Sequence, residues 1–130
     1  MTSLLALLLA LGLSLPFPPS FLASIEVYES PVQTHVGWLA YACYPSRALT
    51  YMDAPCPDTK APSIVLEPLM ETLPIGDRAA LKRNLLAHEV FHLWAGMSGP
   101  RDDPFLERQA YRLGCYISWV PEYCPSWLVR

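Results

Sequence analysis

Between Leu86 and Gly96 the chain reads LAHEVFHLWAG, with His88 and His92 four residues apart and Glu89 directly after the first. On an α-helix, residues four apart differ by only about 40° in azimuth and lie one turn apart, so both imidazoles reach a single ion. Glu89 points about 100° away. That keeps it out of the ligand set but beside an open coordination position, where a carboxylate can take a proton from water. H-E-x-x-H on a helix is therefore a pattern with a mechanism, two nitrogen ligands and a general base.

A two-histidine site needs a third protein ligand to make the open tetrahedral arrangement of a catalytic zinc ion. Glu107 is the candidate. His92 lies about one turn before an expected helix end at Gly96, and Glu107 about one turn after an expected helix start at Pro104, so an antiparallel hairpin brings them to similar depth. Asp102 and Asp103 lie on the intervening loop and can also bind from it, although one or both are better explained as helix caps. Two histidines and a glutamate on an otherwise apolar helix are costly to bury unpaired, and a bound ion relieves that cost.

These residues, in LLAHEVFHLWAG and ERQAYRLG, resemble those of the zincin metallopeptidases and, more narrowly, a minimal form of their glutamate-ligand branch, the gluzincins. The resemblance implies one zinc ion held by His88, His92 and Glu107, with Glu89 as general base for peptide-bond hydrolysis through a metal-activated water. It also implies, in SIVLEPL, a strand able to pair with an extended substrate. Where many gluzincins carry an acidic residue four positions after the ligand glutamate, this chain has Tyr111, whose phenol can hold a histidine or assist an oxyanion. The metzincin branch is excluded, because Ala95 and Ser98 stand where it requires glycine and histidine. The remaining histidine, His35, lies in an expected strand and is either a cleft residue or an ordinary structural one.

The elements that must position these groups follow from periodicity. In DRAALKRNLLAHEVFHLWAG, Leu81, Leu85, His88, His92 and Ala95 share one helical face, with Asp77 as N-cap and Gly96 as the left-handed C-cap. A second helix is expected from Pro104, capped by Asp103, to about Val120, ahead of Pro121. SIEVYES, HVGWLAYACY, ALTYMD and SIVLEPL are rich in β-branched and aromatic residues and read as strands. The expected fold is α+β: a small, mostly antiparallel sheet of three or four strands on the H-E-x-x-H helix, with the second helix closing the site.

Length and composition limit the alternatives. A chain of 130 residues, 52% hydrophobic and 16% charged, has material for one compact domain. A net charge of −3 without a basic run offers nothing to nucleic acid. The apolar run from Leu4 to Leu15 suits a secretory leader over residues 1–23, cut after Ser14 or after Ala23, leaving 24–130 as the domain with no membrane span. A buried N-terminal helix or a retained anchor is the competing reading. Four cysteines fit an oxidising compartment, and Cys43–Cys56 with Cys115–Cys124 are the favoured pairs because each closes a short, proline-containing loop. The expectation is thus a secreted or periplasmic zinc peptidase acting on peptides or proteins. A secreted binding or inhibitory module stapled by a structural metal is the alternative.

Overall fold

The computed structural model describes residues 1–44, 55–57, 60–96 and 104–128. In chain order these form β1 (Thr2–Ser3), α1 (Leu4–Ala10), α2 (Pro19–Ala23), β2 (Glu26–Glu29), β3 (Ala40–Cys43), β4 (Ser63–Leu66), α3 (Leu69–Thr72), α4 (Arg78–Ala95) and α5 (Pro104–Ile117). The fold is α+β. The expected strand in ALTYMD and the expected Asp103 cap lie outside the described residues.

The four strands make one sheet in the order β1-β2-β4-β3. The β1/β2 and β3/β4 pairings are antiparallel, and β2/β4 is parallel. β4 therefore lies in the middle, in register from Glu26↔Ser63 to Glu29↔Leu66 on one side and from Ala40↔Leu66 to Cys43↔Ser63 on the other. All four of its residues are buried, which is why Ile64, Val65 and Leu66 are apolar in succession rather than in alternation.

α4 is bounded as its sequence dictates. The Asp77 carboxylate accepts from Ala80 N at 2.9 Å, and Gly96, at φ 74°, closes the helix with its N–H on the His92 and Leu93 carbonyls. Leu81, Leu86 and Val90 are wholly buried and join Ile64, Leu66 and Ala42 of the sheet in one core.

α5 stops at Ile117, three residues before the expected end near Val120. The cause is tertiary. The Ser118 carbonyl accepts from Asn84 Nδ2 at 2.9 Å, and Ser118 Oγ donates to the Ala80 carbonyl at 2.8 Å. Both bonds hold residue 118 against α4 instead of letting the helix run on.

The N-terminal segment read as a leader is packed in this structure. β1 adds to the sheet edge, and Leu4, Leu8, Leu15 and Leu22 are buried in the core. Among the described residues no helix is long and apolar enough to cross a membrane. Both favoured disulfides are present, Cys43–Cys56 and Cys115–Cys124, closing separations of 13 and 9 residues. Two such bridges fit an oxidising, extracytoplasmic environment.

Candidate metal centre

α4 and α5 pack antiparallel along one seam, whose contacts climb in steps of a helical turn. Asn84 meets Cys115 and Gly114, His88 meets Tyr111, and His92 meets Glu107. Residues 84, 88 and 92 lie on one stripe of α4, while 107, 111 and 114 lie on one stripe of α5. Gly114 permits the close approach. A Cβ there would sit 2.6 Å from Asn84 Oδ1 and 2.9 Å from the Asn84 carbonyl oxygen.

At the open end of the seam the expected ligands converge. Glu107 Oε1 is 2.9 Å from His88 Nε2, Glu107 Oε2 is 3.2 Å from His92 Nε2, and the two Nε2 atoms are 3.2 Å apart. Two donors at about 2.0–2.1 Å from zinc and at the tetrahedral angle lie about 3.4 Å apart, so an ion fits this triangle after shifts of a few tenths of an ångström. Both histidines are buried and the Glu107 side chain is 40% exposed, so the group is closed on the core side and reachable from the other. His88 Nδ1 is buried with no partner among the described residues, leaving Nε2 as the atom that makes its contacts.

The electrostatics follow from the crowding. Burial pushes the Glu107 carboxyl up, but hydrogen bonds from His88 and His92, with their charge, outweigh it and hold Glu107 well below the usual carboxylate range. Burial lowers His92, while the Glu107 hydrogen bond and the charges of Glu89 and Glu107 more than reverse this and raise it. Glu89 is buried, its Oε2 3.9 Å from His88 Nε2. Desolvation holds its carboxyl above the ordinary value against the lowering effect of the two histidines.

The ring of Tyr111 meets that of His88 edge-on at 4.7 Å. Its phenol is hydrogen-bonded to that of Tyr123, and burial raises both above the ordinary tyrosine value. Tyr123 is a site residue that periodicity alone does not reveal. Its signal is the bridge: Tyr111 is one turn before Cys115, so pairing Cys115 with Cys124 returns residue 123 to the seam. Tyr44 is a second such residue, its hydroxyl donating to the His92 carbonyl at 2.5 Å.

The cluster opens into a cleft of about 630 Å³ between α4, α5 and the sheet. Here two expectations are corrected. The strand in SIVLEPL is central, with both edges paired, so it has none to offer a substrate. The strand along the cleft is β3, paired with β4 on one side only among the described residues. His35 is not in a strand and does not line the cleft. It sits in a turn, stacked on Trp38 at 3.9 Å and 16°, with Nδ1 3.0 Å from Thr34 Oγ1. Asp102 and Asp103, the loop alternatives for the third ligand, lie outside the described residues. Comparison with known protein families, curated proteins and solved structures finds no match.

Proposed function

We propose that the chain is an exported zinc-dependent peptidase of the gluzincin-like kind, hydrolysing peptide bonds. The observation that carries this reading is the meeting of His88, His92 and Glu107, whose ligand atoms all lie within 4.8 Å of one another, beside a buried Glu89 and at the floor of an open cleft. Two imidazoles and one carboxylate are a donor set suited to catalytic zinc, which keeps a further position open. When bound, such an ion acidifies water and polarises a carbonyl.

The chain's own groups supply the rest. Glu89 accepts a proton from the attacking water and delivers it to the leaving amine nitrogen, a task suited to a carboxylate whose proton affinity burial has raised. Tyr111, oriented by Tyr123, presents its phenol on the His88 side of the cleft, where a donor stabilises developing negative charge on the carbonyl oxygen. The edge of β3 that is unpaired among the described residues is disposed to take an extended peptide by main-chain pairing. The disulfides support export.

The test is metal analysis beside peptide hydrolysis. His88→Ala, His92→Ala and Glu107→Ala should lose zinc and activity together, whereas Glu89→Gln should keep zinc and lose hydrolysis. Unimpaired cleavage by Glu89→Gln would remove the catalytic proposal. A fourth protein ligand found on the bound ion would favour a structural staple instead.

A further inference from the structure

Glu67 is a carboxylate only 1% exposed, and its donors among the described residues are neutral and come from one short segment. Thr34 N lies 3.2 Å from each carboxylate oxygen, and Thr34 Oγ1, His35 N and Gln33 Nε2 lie 2.7, 3.2 and 3.3 Å from Oε2. Gln33 extends the clamp. Its Nε2 also donates to the His35 and Trp38 carbonyls at 2.8 and 2.7 Å, and its Oε1 accepts from Leu69 N at 2.9 Å.

A buried carboxylate with no cation beside it among the described residues is a poor device for stability, since apolar side chains of that volume fill a core at less cost. What it does well is fix the positions of the groups that donate to it. The segment it fixes is the turn His35–Trp38, closed by Trp38 N donating to the His35 carbonyl and carrying Gly37 at φ 82°, where a type II turn needs a positive φ. Gly37 and Trp38 are among the residues that line the cleft at the entry to β3, with the Trp38 ring stacked on His35 and packed beside Tyr41 at the sheet edge. Apart from Gly37, the His88–His92–Glu107 cluster and Glu89, every described lining residue is of an aliphatic or aromatic type.

We infer that Glu67, with Gln33, is a positioning residue for the cleft rim: it holds Trp38 as the wall against which a large apolar side chain of the substrate packs. This deepens the peptidase reading and rests on it for the identity of the bound molecule. Glu67 touches no reacting atom, so its loss acts on binding and selectivity and leaves the metal alone.

The experiment uses the full, zinc-loaded chain and two blocked hexapeptides that differ only in phenylalanine or glycine at one central position. Glu67→Gln, which puts an amide donor where only acceptors fit, should raise KM for the phenylalanine peptide about tenfold. It should leave kcat, zinc content and the glycine peptide unchanged. Trp38→Ala should do the same, and the double variant should be no worse than Trp38→Ala alone, because one residue acts through the other. Should Glu67→Gln not fold, Gln33→Leu, which removes the bonds to the His35 and Trp38 carbonyls, carries the same comparison.

A parallel loss of kcat and zinc, full additivity in the double variant, or no preference for phenylalanine in the wild type overturns the inference. Should the wild type cleave neither peptide, the peptidase reading falls, and calorimetric affinities of the same peptides decide the rim by itself. Preferential binding of the phenylalanine peptide that is lost in Glu67→Gln upholds it, and equal or undetectable binding of both overturns it.

Discussion

Gly114→Ala tests the seam from which the site is built. Glycine inside a helix costs about 1 kcal/mol relative to alanine, so its place in the middle of α5 needs a reason. The reason is steric: a Cβ would lie 2.6 Å from Asn84 Oδ1 and 2.9 Å from the Asn84 carbonyl oxygen. Neither can yield cheaply. Asn84 is wholly buried, its Nδ2 bonded to the Ser118 carbonyl at 2.9 Å and to Cys115 Sγ at 3.3 Å, and the carbonyl belongs to helical backbone. α5 must therefore retreat by a few tenths of an ångström. Overpacking of this kind costs about 1–3 kcal/mol, and the gain in helix propensity returns about 1, leaving a net loss of up to about 2 kcal/mol. At this chain length that is roughly 3–5 °C in Tm for each kcal/mol. Glu107 is seven positions earlier on the same face of α5, so it moves with Gly114. Metal–ligand distances tolerate only about 0.2 Å, so zinc affinity should fall about tenfold or more. Thermal melts with and without zinc, and zinc competition against a chromophoric chelator, read the two effects. An unchanged or higher Tm with undiminished zinc affinity would refute the close-packed seam.

The N-terminal and titration behaviour give two further expectations. A chain beginning at Ser24 lacks the buried Leu4, Leu8, Leu15 and Leu22. At about 1.5–3 kcal/mol each, their burial is on the order of 6–12 kcal/mol, comparable with the whole stability of a domain. That chain should show no cooperative melt by circular dichroism under conditions where the full chain does, and an equal Tm for the two would contradict the packing described. In alkali, Tyr41, Tyr44, Tyr111 and Tyr123 should resist ionisation past the ordinary value of 10.0, since burial raises each of them. A folded pKa above the unfolded one gives stability that is complete below about pH 10 and is lost as pH rises through the folded values. Ultraviolet titration should therefore show a late tyrosinate phase coinciding with unfolding. Complete ionisation near pH 10 in folded protein would argue against it.

α4 was legible because its signals are local: a carboxylate cap at Asp77, a left-handed glycine at Gly96, and an apolar stripe between them. The convergence of His88, His92 and Glu107 was legible for a related reason, since two helices of known ends joined by a short connection have little freedom of register. HVGWLAYACY was harder. Its composition is that of a strand, yet only Ala40–Cys43 is one. The Glu67 carboxylate, far away in sequence, takes the Thr34 and His35 N–H groups that a ladder would use, and Gly37 bends the chain at a positive φ. No local pattern carries that competition. The central place of β4 was equally hidden, because residue types indicate a doubly buried strand without saying which neighbours it has.

The seam also explains how so short a chain can hold such a site. Along the α4–α5 contact, where an apolar stripe is the ordinary glue, stand Asn84, His88, His92 and Glu107. Polar groups in that position contribute little net stability by themselves, so the helix pair has to be held from outside the seam. Each disulfide stands next to a tyrosine that reaches into it. Cys43 precedes Tyr44, whose hydroxyl holds the His92 carbonyl, and Cys124 follows Tyr123, whose phenol holds Tyr111 against His88. Covalent bonds thus fix the bases of two side chains, one bracing the α4 backbone at His92 from the sheet side and one bracing Tyr111 against His88 from the C-terminal side. On the proposed reading a bound ion would join α4 to α5 at the open end of the seam, where Glu107 is the most exposed part of the triangle, so metal should add to the stability of the helix pair.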